Sequence, residues 1–164
     1  MPNASKTMAR SRLLLLSQLM VLLLLMPSCV GSVLQHQHID INPSGWDRGD
    51  TLTFSIPPAD VTTDYSITVE MRTPATFPFQ EVWMVRKVLT ANPLSLHLDT
   101  ICVSTTTDGS SLSGDGVTLR SHSCLTPSIF LNQHQEGIIQ LYHIMSQQVL
   151  PQVSSVGVKV EIIN

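Results

Sequence analysis

Near its C-terminus the chain alternates Val156, Val158, Val160 and Ile162 with Gly157, Lys159 and Glu161. A period of two puts every apolar side chain on one face of an extended strand, a pattern that no helix accommodates. The same alternation runs through Thr51–Ile56, with Leu52, Phe54 and Ile56 on one face. It recurs in Asp64–Met71, where Tyr65, Ile67, Val69 and Met71 oppose Ser66, Thr68 and Glu70. Glu81–Leu89 and Leu94–Val103 are apolar on both faces in places, as interior strands can be. Gly137–Met145 also reads as a strand, although Ile138, Leu141 and Met145 share a helical spacing.

Pro57-Pro58, Pro74, Pro78, Asn92-Pro93, Asp108-Gly109, Asp115-Gly116 and Pro151 punctuate these runs. Turn signals at about 8 to 12 residue intervals, with no long helical pattern, predict an all-β chain. The expected architecture is a single antiparallel β-sandwich, jelly-roll or Ig-like. Aromatic residues make up only 5% of the chain, so its core must be largely aliphatic.

The N-terminus reads differently. Residues 1–12 hold Lys6, Arg10 and Arg12 and no acid, and residues 13–26 (LLLLSQLMVLLLLM) are almost wholly aliphatic. A basic segment before an apolar run of this length is the pattern of a secretory signal peptide. At ~1.5 Å per residue the run spans about 21 Å, short of a ~30 Å hydrocarbon core. Apolar residues cover every face, which argues against an amphipathic core helix.

Leu25-Met26-Pro27-Ser28-Cys29 then resembles a bacterial lipobox, in which the cysteine becomes the acylated N-terminus. Ordinary cleavage near Ser28 would instead leave Cys29 as a lone thiol, a liability in an oxidising compartment, so lipidation is favoured. The resulting division is a lipoprotein signal peptide over 1–28, a lipidated spacer over 29–44 and a β-sandwich domain over 45–164. The expected partner of Cys29 is the membrane, since two or more acyl chains anchor stably. No acidic cluster follows Cys29, which favours a periplasm-facing position in the cell envelope.

All twelve acids but only six of the nine basic residues lie beyond residue 28. That acidic balance excludes a nucleic-acid footprint spread over the domain. Catalytic signatures are missing too: there is no GxSxG, HExxH or P-loop. The Thr105–Gly116 stretch (TTTDGSSLSGDG) lacks the Lys-Ser/Thr ending that grips phosphate and departs from EF-hand spacing, so it reads as a long hairpin connection.

Six histidines raise the question of a metal. His36 and His38 could turn both rings to one side of an extended segment, but two ligands make a weak site, so neither a metal nor any other cofactor is expected. Cys102 and Cys124 can form a disulfide in an exported domain or remain independent thiols. Trp46, Phe77, Phe79 and Trp83 are the aromatic features. Buried, they close one end of the sandwich, which is the favoured placement; exposed, they would anchor a protein or sugar partner.

The order and spacing of these features resemble the GldH family, lipoproteins of the gliding-motility apparatus. The resemblance begins at the lipobox-like end at Cys29 and Gly45-Trp46. It runs through "DTLTFSIP" (50–57), "YSITVEMR" (65–72), "FPFQEVW" (77–83) and "LDT" (98–100), then the Gly109/Gly114/Gly116 loop and "VSSVGVKVE" (153–161). It implies a membrane-anchored, non-enzymatic accessory protein tied to type IX secretion, partnered by other envelope or secretion-apparatus proteins. Only Cys29 carries over as a functional position. The rival expectations are a carbohydrate-binding module of an exported glycan system and a hydrolase with a scattered active site.

Overall fold

A computed structural model of the protein describes residues 33–91, 93–106, 110–114 and 117–163. The lipobox-like segment and Cys29 lie outside them. The described residues contain eleven strands and no helix. In chain order these are β1 (Val33–Asp40), β2 (Trp46–Asp47), β3 (Leu52–Ile56), β4 (Thr63–Pro74), β5 (Glu81–Thr90), β6 (Ser95–Ser104), β7 (Ser110–Gly114), β8 (Val117–Leu131), β9 (Gly137–His143), β10 (Val149–Leu150) and β11 (Ser155–Ile162).

Two antiparallel sheets stack face to face. The larger runs β1-β11-β4-β8-β7 and the smaller β3-β9-β5-β6, while β10 and β2 form a separate short pair. Strand β6 lies over β8 and β1 over β3, so the layers meet along both flanks. The all-β sandwich is thus the observed architecture. The ambiguous 137–145 segment is a strand, with Ile139, Leu141 and His143 turned inward.

The core follows from the alternation. Tyr65, Ile67, Val69 and Met71 of β4 and Val156, Val158 and Val160 of β11 face Phe54, Val82, Met84, Val88, Ile139 and Leu141 of the smaller sheet, all essentially removed from water. A half-buried antiparallel sheet produces this apolar-in, polar-out order. Gly45 closes the turn ahead of β2 at φ +109°, and a Cβ there would lie 2.7 Å from the Leu150 carbonyl oxygen. Only glycine meets both conditions. The turn delivers Trp46 into the core, 1% exposed, with its indole N–H donating to the Asp50 carbonyl at 3.1 Å.

Two boundaries differ from those expected. Val33–Asp40, assigned to a spacer, is β1, the edge strand of the larger sheet. Ser110–Gly114, assigned to a connection, is β7, which pairs with β8 in a hairpin. The long β8 carries a bulge: Tyr65 pairs with Ile129 but Ile67 with Thr126, and Pro127 falls in the slip. Proline is tolerated there because a bulge leaves a residue out of the ladder.

Candidate functional site

Cross-strand partners point to the same side of a sheet, so the registers fix what each outer face displays. On the smaller sheet, Trp83 pairs with Cys102, Lys87 with Leu98 and Leu89 with Leu96, all turned outward. Ile138 of β9 adjoins Leu89 and Tyr142 adjoins Val85. Trp83, Leu96, Leu98 and Ile138 are 45%, 60%, 62% and 36% exposed. At one end, Leu89, Leu94, Ile138, Pro57 and Ser55 line a groove of about 470 Å³. Leu96, Leu89 and Ile138 are lateral neighbours on this face, and Leu98 follows one outward position along β6.

The larger sheet shows the opposite character. Its outer face presents Ser66, Thr68, Glu70 and Arg72 of β4 beside Lys159 and Glu161 of β11, with Leu125 and Phe130 of β8 as apolar exceptions. His36 and His38 share this face, because β1 pairs with β11. His38 is opposite Gly157, and Gly157 is opposite Glu70. The imidazole lies where a Gly157 side chain would be, with ring atoms 2.4 Å from an ideal Cβ. It therefore reaches across β11, and both His36 Nε2 and His38 Nε2 come within 3.0 Å of Glu70 Oε2.

His36 makes a hydrogen bond to that oxygen, whereas His38 is misaligned and leaves both ring nitrogens without a hydrogen-bond partner. Burial pushes the His38 pKa down, aided by the Arg72 charge and opposed by Glu70. Burial alone would raise the Glu70 carboxyl, but the His36 hydrogen bond and the charges of the two imidazoles outweigh it and hold the pKa below its ordinary value. The sequence placed the two histidines side by side. It gave no sign of Glu70, which joins them through a glycine on an intervening strand.

The aromatic residues do not assemble into one platform. Trp46 is in the core, with the His143 ring edge-on at 5.2 Å. Phe77 and Phe79 are half-buried, pack on the core with ring centroids 5.5 Å apart, and line a second cavity of about 280 Å³ with Thr73, Arg120 and His122. Trp83 alone of the four is exposed.

The disulfide considered for Cys102 and Cys124 is not made, and both are free thiols. Cys102 points outward with Trp83, while Cys124 pairs with the buried Val69 and points between the sheets. Their side chains sit on opposite sides of β6, which prevents bridging without backbone movement. Burial raises both thiol pKa values.

No curated protein matches the chain at a significant level. A crystal structure of dimeric latent PorU from Porphyromonas gingivalis is similar at 8% identity and a TM-score of 0.33, over 83% of this chain and 13% of that one. A likeness of that degree establishes no kinship. The family model of the GldH lipoproteins, in contrast, matches residues 33–160, from the first strand to the last. That match spans most of the sequence, and the chain belongs to the GldH lipoprotein family, a family related to gliding motility and not known for enzymes.

Proposed function

We propose that the protein is a non-enzymatic envelope adaptor. It is anchored by acyl chains at Cys29, faces the periplasm, and docks other envelope or type IX secretion proteins on the outer face of the smaller sheet. The observation that carries the reading is the exposed apolar set Trp83, Leu96, Leu98 and Ile138 on a face that no other part of the described chain covers. Large apolar side chains left in water become binding energy when a partner removes them, at about 25 cal/mol per Å² of buried area before the costs of association. Membership of a lipoprotein family supports the anchor. A sugar-binding role has weaker support, since Trp46 is in the core and Phe77 and Phe79 are half-buried.

The test is affinity capture of the anchored protein from solubilised envelopes, comparing wild type with Leu98→Glu. Wild type is expected to retain envelope proteins that the variant loses while both remain folded. An identical recovery from both would place the interface elsewhere, and a wild-type protein recovered without partners would contradict the adaptor reading.

A further inference from the structure

We infer that His36, His38 and Glu70 form a binding site for a divalent first-row transition cation, Zn²⁺ foremost, on the outer face of the larger sheet. Each residue offers one ligand atom, and the three atoms lie within 4.8 Å of one another. Tetrahedral zinc with ligands at about 2.0–2.1 Å needs ligand atoms about 3.3 Å apart. Two of the three separations here, from each Nε2 to Glu70 Oε2, are already 3.0 Å.

The hydrogen bonding of the cluster is incomplete without an ion. Two imidazoles converge on one carboxylate oxygen, and only His36 satisfies it. The nitrogens of His38 are removed from water, on a side chain just 16% exposed, and make no hydrogen bond although Nε2 lies 3.0 Å from Glu70 Oε2. Buried polar groups are ordinarily satisfied, and a nitrogen orphaned beside an acceptor that His36 already uses calls for a further partner. A cation between the two nitrogens and the oxygen supplies it. Imidazole and carboxylate together suit Zn²⁺ and its neighbours better than Ca²⁺ or Mg²⁺, which take oxygen ligands.

The backbone has the opening that such a site requires. Gly157 lies between His38 and Glu70 in the register, and any larger residue would occupy the space of the imidazole. Lys159 on the same face is engaged with Glu161 at 2.8 Å, so Arg72 is the charge left opposing a cation. His36 is 43% exposed, which leaves a fourth coordination position open to water. A bound ion would tie the edge strand β1 to β4 across β11.

The test uses the full-length protein in detergent, titrated with ZnCl₂ against a chromophoric chelator and with CoCl₂ by visible absorption. The expected result is one saturable ion per chain. His38→Ala, Glu70→Gln and Gly157→Ala should each weaken binding at least tenfold, the last without removing a ligand. His97→Ala, an exposed histidine of the smaller sheet, should leave it unchanged. If Gly157→Ala fails to fold by circular dichroism, His36→Ala takes its place, because that side chain is the most exposed of the three. Absence of saturable binding, or binding that His38→Ala and Glu70→Gln leave intact, overturns the inference. So does an equal loss in His97→Ala.

Discussion

Arg86 of β5 and Asp99 of β6 are cross-strand partners on the inner side of the smaller sheet, and their side chains meet in an ion pair at 2.5 Å. Arg86 is 1% exposed. Its other amino group crosses the sandwich and donates to Thr126 Oγ1 at 2.6 Å and to the Pro127 carbonyl at 2.9 Å. The bulge in β8 therefore presents the acceptors that a buried guanidinium requires.

Removing the anion should be costly. Asp99→Asn leaves a buried guanidinium without its counter-charge, and breaking a fully buried pair costs about 3–5 kcal/mol. Asp99 is 30% exposed, so solvent offsets part of this and about 2–3 kcal/mol is expected. Replacing both with Met and Leu should cost much less, because no orphaned charge remains. Urea denaturation of the wild type and the two variants checks both expectations.

Stability should fall on mild acidification. His143 is buried, and its Nε2–H donates to the Trp46 carbonyl at 3.0 Å. Burial pushes its pKa below the ordinary 6.5, the Trp46 hydrogen bond only partly opposing it. His122, bonded to Thr73 at 3.1 Å, is lowered by burial and by the Arg120 charge. A histidine whose folded pKa is depressed binds its proton more readily when unfolded. Its contribution is fully present above about pH 6.5 and is lost as pH falls from there toward the folded values. Melting temperatures at pH 7.5 and pH 5 should show the drop. His143→Gln, which keeps a donor, should reduce it.

Gly45→Ala should destabilise by about 1–3 kcal/mol, since it places a Cβ at positive φ. The added methyl meets Val149 Cγ1 at 2.6 Å as well as the Leu150 carbonyl oxygen. Thermal unfolding reads the loss, and tryptophan fluorescence should show Trp46 less buried.

What was legible in the sequence was what alternates cleanly. β3, β4 and β11 put apolar residues in the core at every second position, and their strands fall within a few residues of those expected. β8 escaped because its inward positions include His122, Cys124 and Thr126, polar or small residues that break the pattern while serving Thr73 and Arg86. β1 escaped because it is an edge strand whose outward face carries two histidines, so it reads as a polar linker. Edge strands commonly carry such polar residues, which discourage pairing with other chains. Glu70 was visible only as an outward residue of β4. Its meeting with His38 depends on a register across a third strand that local pattern does not encode.

Cys102 and Cys124 should both remain thiols: electrophoretic mobility of the protein prepared without reductant should not change with dithiothreitol. Maleimide labelling near neutral pH should be slow at both, because burial raises their pKa values and the thiolate is the reactive form. Labelling should accelerate on unfolding. Rapid labelling of Cys124 in a folded Cys102→Ser variant would contradict the placement of Cys124 between the sheets.

The adaptor account is tested most directly by photo-crosslinking in intact cells, with the crosslinker at Leu98 on the apolar face or at Thr68 on the polar face of the other sheet. The account predicts discrete adducts with envelope proteins from position 98 and none of comparable yield from position 68. Equal adducts from both positions, or none from position 98, would contradict it.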